Sequence, residues 1–234
     1  MRTRALVLGG TGHVGSAVLH ALAEAGIPTA FSYFRSTEQA SALADRHGQH
    51  AYPLDLGNSA GIDGFLQSVY RETGVPDVLI SCATHAHAGG LSDIDDDTWN
   101  RVMNVNVRGV FQVCRALVPH WRDGGDIVLV AGPDALGAAP SAPHFAASQA
   151  ALAGFTRATA AELGPRGVRV NLLAVGVLDG GAGTLLSAER RRDAERYSAL
   201  RRIGTAAEAA RAIVWLATEN PYLNGAIVPV TGGM

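Results

Sequence analysis

The chain has 234 residues, 47% of them hydrophobic, a formal net charge of −2 and a pI of about 6.4. That is enough apolar material for one large core in a single domain spanning 1–234, and it leaves no broad basic surface for nucleic acid. All 19 basic residues are arginine, so lysine chemistry is excluded. Cys82 and Cys114 have no metal or redox spacing, and the apolar run after Arg4 is too short for a signal peptide or a membrane span; a reduced cytoplasmic protein is expected.

Short apolar runs alternate with helical periodicities, the pattern of a doubly wound parallel α/β sheet of seven strands between two helical layers. A strand over 5–8 runs into Gly9-Gly10-Thr11-Gly12-His13-Val14-Gly15, which opens a helix over 14–25. Gly9 permits a tight turn, Gly12 lets backbone approach a pyrophosphate, and Gly15 allows close helix–strand packing. The helix start, with Thr11 in the same loop, offers amides to the phosphates. A strand over 29–33 ends in Phe34-Arg35-Ser36, with no acid for a ribose 2′-hydroxyl but with Arg35 suited to a 2′-phosphate. NADP(H) is therefore preferred over NAD(H), although Arg35 also suits a solvated helix start.

A helix over 37–46 and a strand over 51–54 lead to Asp55, placed to accept from an adenine amino group or to cap a turn. A helix over 62–72 and a strand over 78–81 precede Cys82-Ala83-Thr84 and the two loop histidines His85 and His87. The acidic residues Asp93, Asp95, Asp96 and Asp97 favour the start of a long helix over 97–122 that carries Asn106. A strand over 126–131 ends at Gly132, followed by Asp134. The next helix, over 143–163, holds His144, Phe145 and Gln149, and its small residues Ala146, Ala147, Ala150, Ala151 and Gly154 suit close helix packing. After a strand over 168–173, the glycine-rich and then charged stretch 176–202 reads as a lid. A helix over 206–217 and a strand over 227–230 complete the chain. Right-handed crossovers place ligands beyond the carboxyl ends of the strands.

Several segments carry a resemblance to a known family. They are the glycine turn, Asp97-Thr98-Trp99-Asn100-Arg101-Val102-Met103-Asn104-Val105-Asn106, Arg166-Gly167-Val168-Arg169-Val170-Asn171, and the ending Arg202-Ile203-Gly204, Leu223-Asn224-Gly225 and Thr231-Gly232-Gly233-Met234. The whole chain resembles the short-chain dehydrogenase/reductases, closest to the 3-oxoacyl-[acyl-carrier-protein] reductases, which implies a Rossmann-like fold. That family reduces carbonyls with a tyrosine that donates a proton, a lysine four residues later that lowers its pKa, and a serine that polarises the carbonyl. An asparagine in the long helix supports the proton relay.

At the matching positions stand Phe145 for the tyrosine, Gln149 for the lysine and Gly132 for the serine; only Asn106 is retained. Shifting the register by one residue brings in His144 and Ser148, which are no substitute. The tyrosines Tyr33, Tyr52, Tyr70, Tyr197 and Tyr222 all lie outside this helix. General acid–base help and carbonyl polarisation are each worth about 10² to 10⁴ in rate, so ordinary ketoreduction should be nearly abolished. The resemblance also marks Ser81-Cys82-Ala83-Thr84, Val175-Gly176 and Gly180 as departures around the nicotinamide, Gly180 replacing the threonine that holds the carboxamide.

Three functions follow. One is a non-catalytic or regulatory partner of an active homologue in fatty-acid- or polyketide-type metabolism, forming homo- or hetero-dimers or tetramers and keeping NADP(H) as a structural or sensed ligand, or having lost it. An acidic acyl carrier protein could then meet Arg190, Arg191 and Arg192, with Arg166 and Arg122. The second is a non-redox dehydratase, isomerase or cyclase using a His–Asp pair among His85, Asp134 and His144, with His87 and Tyr197 lining the vacated pocket. The third is an NADP(H)-dependent oxidoreductase with an unusual proton donor. The bland reading makes the histidines loop and helix-start residues and Asp134 a turn residue. No metal is expected, because His85 and His87 lack a third ligand.

Overall fold

The computed structural model describes residues 3–137 and 141–234. The first three strands are β1 (Ala5–Leu8), β2 (Thr29–Tyr33) and β3 (His50–Pro53), and the next two are β4 (Val78–Ser81) and β5 (Gly125–Ala131). With β6 (Val168–Val175) and β7 (Ile227–Val230) they pair in parallel in the order β3-β2-β1-β4-β5-β6-β7. The central β1 and β4 are buried at every position, as expected for strands covered on both faces.

One face carries α1 (His13–Glu24), α2 (Thr37–His47) and, near the end of the chain, Ala206–Thr218, packed through Val18, Leu22, Leu43 and Ile213. The other face carries α3 (Ile62–Thr73), α4 (Asp96–Met103), α5 (Val110–Leu117) and α6 (Pro143–Leu163), packed through Phe65, Val113, Leu117 and Leu152. The segment after β6 holds α7 (Ala188–Tyr197), which makes Ala206–Thr218 α8. Helix ends follow local chemistry. Gly48, at φ 61°, closes α2. Asp95 accepts from the Thr98 amide at 2.8 Å to start α4, and Thr205 with Glu208 forms a capping box at α8.

The strands fall close to the apolar runs: β3 lies one residue earlier than 51–54, where His50 pairs with Ala30, β5 starts one residue before 126–131, and β6 runs two residues beyond 168–173. The single helix expected over 97–122 is instead interrupted by a π-helical turn, Asn104–Gly109, and ends in a 3₁₀ turn, Val118–His120, at Pro119. Gly109 sits at this irregularity because a Cβ there would run into the Leu56 carbonyl. The stretch 176–202 holds a short 3₁₀ turn, Gly181–Leu185, and α7, whose sole buried residue is Ala194. No described helix is long and apolar enough to cross a membrane.

Candidate functional site

A cleft of about 1190 Å³ runs along the carboxyl ends of the strands, from Arg35 and Asp55 past the glycine turn to Gly132 and Phe145. The chain order reverses between β1 and β4, the switch point at which doubly wound sheets bind dinucleotides. Gly9 has φ +76°, and a Cβ on it would stand 2.7 Å from the Ala83 Cα. A Cβ on Gly15 would collide with the Gly9 carbonyl, so both glycines are sterically required. Gly12 starts α1 with no side-chain cap, leaving the first-turn amides to the cleft. Thr11 also lines it.

On the β2 side, the exposed Phe34 ring is approached by two guanidinium groups, with Arg35 Cζ at 4.7 Å and Arg101 Cζ at 5.2 Å from its centroid. Asp55 is not a free acceptor. Arg101 donates through Nη1 to Oδ2 at 3.1 Å and brings Nη2 within 3.1 Å of Oδ1, and the Gly57 amide donates to Oδ1 at 2.8 Å. Burial opposes ionisation of Asp55, but the Arg101 and Gly57 hydrogen bonds and the nearby Arg35 outweigh it and hold the carboxyl below its usual range. The side chain thus combines the turn role with an ion pair. Arg101, which reaches across from α4, carries no local signal that predicts this.

At the other end, Gly132, Phe145 and Gln149 come together. A Cβ built on Gly132 would lie 3.8 Å from both Phe145 Cε1 and Gln149 Oε1. Gln149, 2% exposed, accepts from the Gly132 amide at 2.8 Å and donates to Ser148 Oγ at 3.1 Å. Ser148 donates in turn to the Phe145 carbonyl at 2.7 Å. Asn106 accepts from the His85 amide at 2.7 Å and donates to the His85 carbonyl and Ser148 Oγ at 3.1 and 2.9 Å. The network is closed upon itself. Phe145 presents only an apolar ring to the cleft beside it.

The alternative acid–base residues do not assemble. His85 and Asp134 line the cleft, as does Tyr197, but His87 and His144 do not. His144 is fully buried on the inward side of α6, its ring 5.7 Å from His87 in a T-shaped pair. Both its ring nitrogens lack partners among the described residues. Burial, aided by His87, lowers its pKa from the ordinary 6.5. Burial also lowers that of His85, with Arg101, His87 and His144 adding to it. Among the described residues no histidine bonds to Asp134, whose Oδ2 accepts from Ser141 at 2.8 Å and whose Oδ1 has no partner. Burial raises the Asp134 pKa against that hydrogen bond.

One cross-chain contact escaped the sequence reading. His13, the first residue of α1, bonds through Nε2 to Asp179 Oδ1 at 2.7 Å, across 166 residues. A Cβ on Gly180 would stand 2.5 Å from His13 Cε1 and 2.7 Å from both ring nitrogens. The imidazole therefore fills the place of a side chain at position 180.

Comparisons with known proteins agree with this geometry. Residues 12–234 match a family model described as enoyl-(acyl carrier protein) reductase. The chain is 30% identical to an uncharacterized short-chain type dehydrogenase/reductase of Sinorhizobium fredii, over 94% of this chain and 92% of that one. It is 31% identical to a 3-oxoacyl-[acyl-carrier-protein] reductase of Thermotoga maritima, over 78% and 76%. Among solved structures it resembles a blue fluorescent protein from a metagenomic library, in complex with NADPH, with a TM-score of 0.92 and 29% identity over 99% of this chain and 97% of that one.

Proposed function

The chain belongs to the short-chain dehydrogenase/reductase family, and on that premise we propose that it binds NADP(H) without reducing carbonyls by the family's proton relay. It acts instead as the non-catalytic partner of an active homologous reductase in fatty-acid- or polyketide-type metabolism. The observation that carries this reading is the convergence of Gly132, Phe145 and Gln149 in a closed hydrogen-bond network that offers no ionisable donor to the cleft.

The residues present suit NADP(H). The glycine-rich turn and the uncapped α1 would hold the diphosphate, and Arg35, braced on Phe34, would take the 2′-phosphate. When bound, the nicotinamide supplies hydride chemistry. This chain's own residues then orient and enclose but do not protonate: Phe145 has no proton to give, and Gln149 is engaged with Gly132. An alkoxide forming there would meet neither a phenol nor an ammonium group.

Partnership is supported by the open surface of the long helices. Ala150 and Gly154 on α6 are exposed, with nothing within 4 Å of a Cβ on Gly154, and Trp99 and Phe111 are each 41% exposed. An acyl carrier protein fits the solvent-facing Arg190 and Arg192 of α7. A second reading, non-redox proton chemistry on an acyl substrate, is favoured only by Asp134, whose buried Oδ1 lacks a partner among the described residues.

The test is direct. Calorimetry of the purified protein should show NADPH binding, while NADPH with a 3-oxoacyl thioester shows no consumption. Mixing with a homologous active reductase should raise that enzyme's activity or melting temperature. Prompt stoichiometric NADPH consumption by this chain alone would overturn the proposal.

A further inference from the structure

We propose that His13 and Asp179 form a clasp that fastens the segment leaving β6 over the second half of a bound dinucleotide, so that His13 sets how tightly that half is held. The inference rests on the NADP(H) reading above and adds a positioning residue to it.

Placement comes first. Arg35 and Asp55 lie at the ends of β2 and β3, on one side of the switch point, and define the adenosine half of the cleft. Phe145, Gln149 and the residues from Val175 to Leu186 lie on the β5–β6 side, the half left for the rest of the dinucleotide. His13 stands between them and lines the same cleft.

The clasp is built from both sides. Asp179 holds Nε2 at 2.7 Å, and that hydrogen bond, against the opposing effect of burial, lowers the Asp179 pKa. The backbone is shaped to receive the ring. Gly180 leaves the ring its space, and Gly181 has φ +61° with a Cβ position 3.1 Å from His13 Cβ. A side chain at position 180 and the imidazole at position 13 exclude each other. Beyond the ring, Asp179 donates its amide to the Gly204 carbonyl at 3.0 Å, so the clasped segment is anchored at its root. By contrast, α7 buries almost nothing. Ser198 and Leu200 fasten the far end of the segment to the Gly232 carbonyl, and His13 adds a tie to the glycine turn, so that a ligand reaching past the turn is gripped by both.

The experiment compares two ligands by calorimetry: NADPH, which spans both halves, and 2′,5′-ADP, which stops at the adenosine half. His13→Ala and Asp179→Asn should each weaken NADPH roughly two- to fivefold, the range for a partly exposed charged contact, and leave 2′,5′-ADP unchanged. Gly180→Ala should weaken NADPH in the parent, and His13→Ala in the same chain should restore part of that loss by vacating the space. A role in folding alone would lower both affinities together and give no rescue. Equal losses for both ligands, or no change for NADPH, would overturn the clasp. Parent protein that binds 2′,5′-ADP but not NADPH would also overturn it, because the cover would then block the second half. Parent protein that binds neither ligand would sink the NADP(H) reading itself.

Discussion

Restoring three side chains should recover carbonyl reduction, and the structure sets the cost of each. A Cβ at Gly132 has nothing nearer than Asp134 Oδ2 at 3.6 Å, so Gly132→Ser enters in ordinary van der Waals contact. Phe145→Tyr adds one hydroxyl to a ring that already lines the cleft. Gln149→Lys is the expensive change. Gln149 is 2% exposed and its Oε1 accepts from the Gly132 amide at 2.8 Å; lysine cannot accept, so that amide loses its partner at about 1–3 kcal/mol. For a domain of this size that corresponds to a fall of roughly 2–12 °C in melting temperature. A positioned phenol is worth about 10²–10⁴ in rate and a polarising hydroxyl about 10²–10³, without simple additivity. The triple variant should therefore consume NADPH on the order of 10³ times faster than the parent with a 3-oxoacyl thioester. The assay follows NADPH absorbance at saturating substrate, with thermal melts and NADPH titrations as controls for folding and binding. A parent as fast as the triple variant would refute the reasoning. So would a folded, NADPH-binding triple variant with no gain.

Two further predictions address the ends of the cleft. Arg35→Ala should weaken NADPH roughly 10- to 100-fold, the worth of one charge-assisted phosphate contact, and change NADH less than about threefold; equal losses would mean that Arg35 does not read the 2′-phosphate. His144→Leu removes two buried nitrogens that lack partners among the described residues, and should raise the melting temperature at neutral pH. Burial first, then His87, depresses the folded His144 pKa below 6.5, so the folded state resists protonation and loses stability as pH falls below that value. The advantage of His144→Leu should widen from about pH 7.5 to about pH 5.5, as melts in a single mixed buffer would reveal, and parallel pH slopes would count against a buried neutral imidazole.

What could be read from the chain alone followed from local pattern. Continuous apolar runs located β1 and β4, and the glycine turn located the first strand–helix junction. That α6 carries no tyrosine and the chain no lysine was legible at once. Contacts between distant segments were not legible. Asp55 meets Arg101 across 46 residues and His13 meets Asp179 across 166, and no spacing rule encodes either. His144 misled the sequence reading for a related reason. Its place in the first turn of α6 suggested the pocket, but the helix turns that residue inward under the loop after β4, away from the cleft that Phe145 lines.

The π-helical turn at Asn104–Gly109 has a consequence for the outer surface of the long helix. In an uninterrupted α-helix each residue advances about 100°, so Trp99 and Phe111 would point about 120° apart. A wide turn that absorbs about one residue brings them within about 20°, in phase along one stripe. By that geometry the irregularity works as a vernier between two helical segments, setting the exposed Trp99 and Phe111 in phase while the buried Asn106 within it accepts from the His85 amide. Deleting one residue within it would leave a regular helix with the two positions still in phase, whereas straightening the turn at its present length would set them about 120° apart.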